Sequence, residues 1–156
     1  MNPIPEQHRQ KAAWLTVCLA LCGGAEGIRQ TAYQDIGNPE LWSICFGETK
    51  NVHQGDRKTL DECKAMLEGR LYEFGAGVDK CTTVELPPER KAAFTDAAYN
   101  LGVGRYCQTF APLLNVGRTL EACDKLLLYD KAGGVTFPGL TKRRQNERQL
   151  CMKGLT

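Results

Sequence analysis

The chain has no Cys-x-x-Cys pair and no cysteine–histidine set at ligand spacing, which speaks against a zinc or other metal site. Internal repeats and low-complexity runs are absent too, so a solenoid or a biased linker is excluded. Excess charge is missing: a formal net of +2 is too little to argue for a nucleic-acid partner, although it suits an acidic polymer. Gly102-x-Gly104 follows a predicted helix with no strand before it and so is not a nucleotide loop, and no other motif calls for a cofactor. The chain also lacks a long hydrophobic run. The run from Ala12 to Ala25 is about fourteen residues, short of the ~20 that a membrane-spanning helix needs.

What is present is a globular composition, 156 residues with 42% apolar and 24% charged side chains. A chain of this size buries one core or two small lobes that share a helix, and a monomer is expected. Eight cysteines are many for this length. Cytosolic thiols are kept reduced, so spaced cysteines in such number point to a protein that matures outside the cytoplasm with disulfides. The alternative is that they act as small apolar residues, since several fall at core-like helical positions.

Two carboxylates, Glu26 and Asp35, lie nine residues apart around Gly27, Arg29 and Tyr33. At about 100° per residue, one helix would point them to opposite sides. Asp35-Ile36-Gly37-Asn38-Pro39 is turn chemistry and ends any helix there. The simplest arrangement puts Glu26 at a helix end and Asp35 beside a β-turn, facing each other across a cleft. Paired carboxylates across a cleft are the apparatus of glycoside hydrolysis, although two solvated surface acids have the same spacing.

Further along, Trp42, Ile44 and Phe46 alternate with Ser43 and Cys45, the period of a strand. Thr59-x-x-Glu62 is a capping box that opens a helix over about 59–79, with Leu60, Cys63, Leu67, Leu71, Phe74 and Val78 as its apolar stripe. Pro87-Pro88-Glu89 starts another helix that Gly102 stops, with Phe94, Ala97, Ala98 and Leu101 inward. A third runs from Thr119 to Lys131, ended by Gly133-Gly134. Lys142, Arg143 and Arg144 are expected in the first turn of a last helix capped by Thr141, where cations are disfavoured by the helix dipole. Sequences break such a rule where function requires it, and an exposed basic patch is the plainer reading.

Glu26-Gly27-x-Arg29-x-x-Ala32-Tyr33-x-Asp35-x-x-Asn38, then Trp42 to Thr49, resembles the catalytic signature of phage-type lysozymes, the endolysins related to the T-even and lambdoid phage lysozymes. The likeness continues through Leu60 to Lys64, Ala98 to Gly104, Ala132 to Gly134 and Gly139 to Arg148, and so covers nearly everything after residue 25. It implies an α+β, mostly helical, lysozyme-like fold with two lobes. A small β-hairpin lobe (about 26–58) and a larger helical lobe (about 81–156) would be joined by a long helix (about 59–80), together one domain over 26–156. The implied activity is hydrolysis of the β-1,4 bond between N-acetylmuramic acid and N-acetylglucosamine in bacterial peptidoglycan. Glu26 is then the general acid, which needs a proton held above the ~4.3 of free glutamate. Asp35 orients water or stabilises the oxocarbenium-like state. Ser43 stands where the family carries a threonine that places the water, Tyr99 and Asn100 line the cleft, and Arg144, or else Arg143, pairs with the acid.

The chain departs from the pattern in places. Seven residues separate Asp35 from Ser43, two more than is usual, so the hairpin is longer. Glu48 replaces a histidine and would help hold the proton on Glu26, while Tyr129 replaces a cleft tryptophan. Two rival classes remain: a lytic transglycosylase, which needs only one glutamate, and a non-enzymatic wall-binding module, which would have no use for Glu26 and Asp35 together.

Residues 1–25 have two readings. A charged start, a short apolar run and a small-residue end suit a signal. In some lambdoid endolysins a similar segment stays uncleaved and holds the enzyme inactive at the inner membrane before slipping out, which implies export to the periplasm and a transient membrane association through 12–25. The other reading is a buried helix leading into Glu26. For the cysteines, Cys45 on a strand and Cys63 on the stripe of the long helix suggest one bridge, Cys81–Cys107 a second and Cys123–Cys151 a third, out of 105 pairings that eight cysteines allow. Cys18 and Cys22, on one face of the apolar run, are left as free thiols.

Overall fold

The computed structural model describes residues 6–25, 27–35 and 38–155. Helix α1 (Glu6–Ala25) leads into a hairpin of β1 (Arg29–Gln34) and β2 (Trp42–Cys45). Then come α2 (Leu60–Cys81), α3 (Pro88–Leu101), α4 (Val103–Thr109), α5 (Ala111–Asn115), α6 (Thr119–Lys125) and a 3-10 turn (Leu126–Leu128). A short hairpin, β3 (Lys131–Ala132) with β4 (Val135–Thr136), precedes the last helix, α7 (Pro138–Met152). The architecture is mostly helical with small antiparallel sheets, as expected.

Local chemistry explains the best-defined elements. Thr59 accepts from the Glu62 backbone N–H while Glu62 returns a bond to the Thr59 N–H, so the capping box opens α2 as read. Pro88 begins α3, and the Gly102 N–H closes it on the Ala98 carbonyl at 2.7 Å. β1 and β2 pair antiparallel, Tyr33 opposite Ser43 and Gln34 opposite Trp42. A third stretch of chain extends this lobe: the Ala32 N–H bonds Asp56 O and the Lys58 N–H bonds Gln30 O, both at 2.9 Å.

Apolar burial falls into two clusters. Trp14, Leu15, Cys18, Cys22, Ile44, Cys45, Phe46, Cys63, Leu67 and Leu71 join α1 and the hairpin to the first part of α2. Val78, Phe94, Ala97, Tyr106, Phe110, Leu114 and Leu126 form the core of the helical lobe. Because α2 feeds both, it is the linking helix that the apolar stripe predicts. Helix α1 packs mainly along α3. No described helix is long and apolar enough to cross a membrane.

Three local expectations are corrected. The strand ends at Cys45, whose φ is +62°, and Phe46 lies in the turn after it. Ser43, Ile44 and Cys45 are all buried, so the alternation does not separate inside from outside. The helix expected over 119–131 stops at Lys125, since Gly133 and Gly134, at φ 58° and 79°, form a two-residue hairpin turn that draws Lys131 and Ala132 into β3. Helix α7 starts at Pro138 with Phe137 as its N-cap, so Lys142, Arg143 and Arg144 lie in its second turn, beyond the reach of the dipole argument. Thr141 is no cap; its hydroxyl donates to Asp130 Oδ2 at 2.9 Å.

The cysteines pair as 45–63, 81–107 and 123–151, and Cys18 and Cys22 are free and buried. These bridges tie β2 to α2, α2 to α4 and α6 to α7, each contributing about 3 kcal/mol in the chain-entropy model.

Helix α1 seats on α2 through Trp14. A Cβ placed on Gly75 would lie 2.6 Å from the indole ring, whereas one on Gly69, in the same helix, meets nothing within 4 Å. Alanine in a helix interior is worth about 0.5–1 kcal/mol over glycine, and overpacking costs about 1–3 kcal/mol. Gly69→Ala is therefore expected to raise the melting temperature and Gly75→Ala to lower it, as calorimetry of the two variants would show; a rise in both would mean that the indole has room to move.

Candidate active site

A cleft of about 590 Å³ opens between the hairpin lobe and the helical lobe. Gly27, Arg29, Tyr33 and Asp35 line its hairpin side, with Phe46, Gly47 and Thr49 beside them. Tyr99 and Asn100 from the end of α3, and Gly139, Leu140 and Arg143 from the start of α7, line the other.

The hairpin sets the position of Asp35. It directly follows β1, and its backbone N–H bonds Leu41 O at 2.9 Å across the loop. Ser43, opposite Tyr33 in the register, is buried, and its hydroxyl donates to Asp35 Oδ2 at 3.3 Å. The pairing of Asp35 with Ser43 follows from strand register despite the long loop. On the same strand the Arg29 guanidinium lies 4.3 Å from the centre of the Tyr33 ring, a cation–π contact that flattens both against the wall. Tyr99 is fixed from two sides: its hydroxyl donates to Phe46 O at 3.3 Å and its ring meets Phe74 edge-on at 5.4 Å.

Glu26 itself lies outside the described residues. Its neighbours bracket the position: α1 ends at Ala25, and Gly27 is on the cleft wall.

The two candidate arginines have different surroundings. Arg143 borders the cleft, and its Nε and one terminal nitrogen donate to Asp96 Oδ2 and Oδ1 at 2.9 and 2.8 Å. Arg144 is wholly buried away from the cleft and gives a 2.7 Å bond to Glu147 Oε1. Consecutive residues on a helix point about 100° apart, and of these two Arg143 is the one on the cleft lining.

Asp96, wholly buried on α3, is the residue that the sequence reading missed. Burial works to raise its pKa, but the Arg143 charge and the bonds from Glu147, Arg143 and Cys22 outweigh it and hold the carboxyl at about 2. Glu147 goes the other way. Burial and the adjacent Asp96 carboxylate push it well above the ordinary range, against the partial opposition of Arg144 and Arg143. The two carboxyls of the buried pair are thus shifted in opposite directions. The Cys22 thiol, raised by its bond to Cys18, by burial and by the Asp96 charge, stays a thiol and donates to Asp96 Oδ1 at 2.7 Å.

Two further expected residues sit elsewhere. Glu48 is not on the cleft lining. It accepts the Thr49 and Lys50 N–H groups at 3.1 and 2.9 Å and pairs with Arg70 Nε of α2 at 2.7 Å, which locks the turn after β2 to the long helix. Tyr129 packs edge-on against Phe110 with Arg105 over its ring, within the helical lobe. Among the described residues no group of histidine, cysteine and acidic side chains is placed to hold a metal ion.

Residues 23–147 match the family model described as phage lysozyme. The chain is 33% identical over 133 residues to the SAR-endolysin of Enterobacteria phage P21, covering 84% of this chain and 79% of that one. It is similar in structure to the muramidase domain of SpmX from Asticaccaulis excentricus, with a TM-score of 0.77, 25% identity and coverage of 87% and 95%. The active form of the P1 phage endolysin Lyz shares the fold over 100% of this chain and 98% of that one, at a TM-score of 0.75 and 24% identity. The chain belongs to the phage lysozyme family.

The contact between Glu48 and Arg70 gives a test. Glu48→Gln keeps acceptors for the two backbone amides but leaves the half-buried Arg70 short of a charge partner, a loss of about 1–2 kcal/mol. Thermal melts are expected to show that loss; an unchanged midpoint would mean that Glu73, which also pairs with Arg70, carries the arginine alone.

Proposed function

We propose that this chain is a muramidase that hydrolyses the β-1,4 bond between N-acetylmuramic acid and N-acetylglucosamine in bacterial peptidoglycan, in host cell lysis. The reading rests chiefly on Asp35, held by Ser43 on the hairpin wall of a cleft whose opposite wall carries Arg143. A carboxylate anchored in this way suits a reaction in which positive charge develops on the sugar ring and water attacks from one face. Glu26, between the end of α1 and the cleft residue Gly27, is the general acid that protonates the leaving oxygen. Arg143 is the better-placed of the two arginines to pair with it. The relatives' names, SAR-endolysin and muramidase domain, support the substrate class.

The three disulfides suit a protein that works in an oxidising compartment, in keeping with export to the periplasm. In the described arrangement α1 is a core helix, so any membrane association through residues 12–25 belongs to a different arrangement of that segment. A lytic transglycosylase would cleave the same bond without water, and Asp35 beside Ser43 favours hydrolysis.

Turbidity loss of a peptidoglycan suspension, with mass spectrometry of the products, tests this. The wild-type chain is expected to release fragments heavier by one water than anhydro-sugar products. Glu26→Gln should lose on the order of 10²-fold or more in rate with its fold intact. Asp35→Asn should be severely impaired and Ser43→Thr should stay within a few-fold of wild type. Anhydro products would assign the transglycosylase reaction, and a Glu26→Gln variant as fast as wild type would remove Glu26 from the mechanism.

A further inference from the structure

Asp96 takes no place on the cleft wall, yet two elements that build the cleft meet on its carboxylate. Arg143 of α7 holds both oxygens, through Nε at 2.9 Å and a terminal nitrogen at 2.8 Å, and itself borders the cleft. Cys22, near the end of α1 and four residues before residue 26 in the sequence, donates its thiol to Oδ1 at 2.7 Å. Asp96 in turn lies one turn before Asn100, a cleft residue on the same helix. Replacing a buried ion pair by well-packed apolar side chains is often neutral or stabilising, so stability alone gives little reason for a charge in a stretch of α3 that is buried all round, from Ala92 to Ala98. An apolar pair could not hold a guanidinium at one point of a cleft wall.

We infer that Asp96 is a positioning residue for the cleft, fixing Arg143 and the end of α1 to a single carboxylate and so setting the relation between the arginine and residue 26. This rests on the muramidase reading. The other charged or titratable groups that bear on Asp96 are Glu147 and Arg144 of α7 and Cys22 of α1. A residue that only holds the fold together would change melting behaviour and leave the pH dependence of the surviving activity alone. A positioning carboxylate does more. Removing its negative charge leaves the Arg143 charge less offset, and a nearby carboxylic acid then gives up its proton at lower pH. A general acid works protonated, so the alkaline limb of the rate profile moves down.

The experiment measures kcat, KM and the pH profile on soluble peptidoglycan fragments for the full wild-type chain, Asp96→Asn, Cys22→Ala and Cys22→Ser. Asp96→Asn is expected to lose on the order of 10–100-fold in kcat with KM little changed. Its alkaline limb should fall by roughly half a unit or more. Wild-type kcat, or a loss of kcat with an unmoved limb, would overturn the assignment. Should Asp96→Asn not fold, the Cys22 pair decides. A fall in kcat for Cys22→Ala that Cys22→Ser recovers, since serine keeps a donor, supports it; equal kcat in both, whether reduced or at the wild-type level, overturns it. Inert wild-type chain would sink the muramidase reading and the assignment with it, whereas active wild type with an unaffected Asp96→Asn would sink the assignment alone.

Discussion

Arg143 and Asp96 are both buried, and neither charge can be left alone there: removing one partner of a buried pair costs about 3–5 kcal/mol. This requirement sets how α7 lies on α3, because a two-point bond to a guanidinium tolerates little sliding or rotation. Once Arg143 is placed, the next residue is placed too. Arg144 is turned by about 100° into the interior, where Glu147, one turn on, is the acceptor in reach. Burial and the Asp96 carboxylate raise the Glu147 pKa, while the Arg144 and Arg143 charges pull it down.

The hairpin lobe depends on this helical frame rather than on its own pairing. Two antiparallel strands are marginal by themselves in water. Here β2 is largely buried and is bound covalently to α2 through Cys45–Cys63, and the turn after it is tied to the same helix by charge through Glu48 and Arg70. Asp35 and Ser43 therefore sit on a strand pair that is held to the linking helix. The cleft is shaped by two lobes sharing one helix, each contributing side chains whose rotamers are fixed by neighbours, such as Tyr99 between Phe46 and Phe74.

Elements with local chemical signals are legible in the sequence: the capping box of α2, the proline start and glycine stop of α3, and the strand carrying Ser43. The contact of Ser43 with Asp35 comes from the register, Tyr33 opposite Ser43, which the long loop leaves unmarked in the sequence. The rest depends on contacts distant in sequence. Arg143 and Arg144 are adjacent, so which of them faces the cleft is a question of helix phase, and phase is set by where α7 sits on α3. The Gly133-Gly134 pair looks alike as a helix stop and as the turn of a hairpin with two-residue strands, which are too short to show a period. Tyr129 and Glu48 occupy familiar positions but find partners in Phe110, Arg105 and Arg70. Asp96 carries no such signal: it lies on the side of α3 away from the stripe of Phe94, Ala97 and Ala98, where an acid reads as solvated, and it is buried because Cys22 of α1 and Arg143 of α7 close over it.

The three disulfides divide the molecule unevenly. They connect β2, α2, α4, α6 and α7, and none includes α1, whose two cysteines remain thiols. Among the described residues, packing by Trp14, Leu15, Val17 and Leu19 and the thiol contacts of Cys18 and Cys22 help to keep α1 in place. Cross-links that narrow the unfolded ensemble of the remainder give no protection to a segment outside their loops. An opening of α1 by itself would cost less free energy than global unfolding, and its amide hydrogens would report it. Such an opening would take with it the helix end that precedes residue 26, leaving a cross-linked scaffold with most of its cleft residues and no seated N-terminal helix.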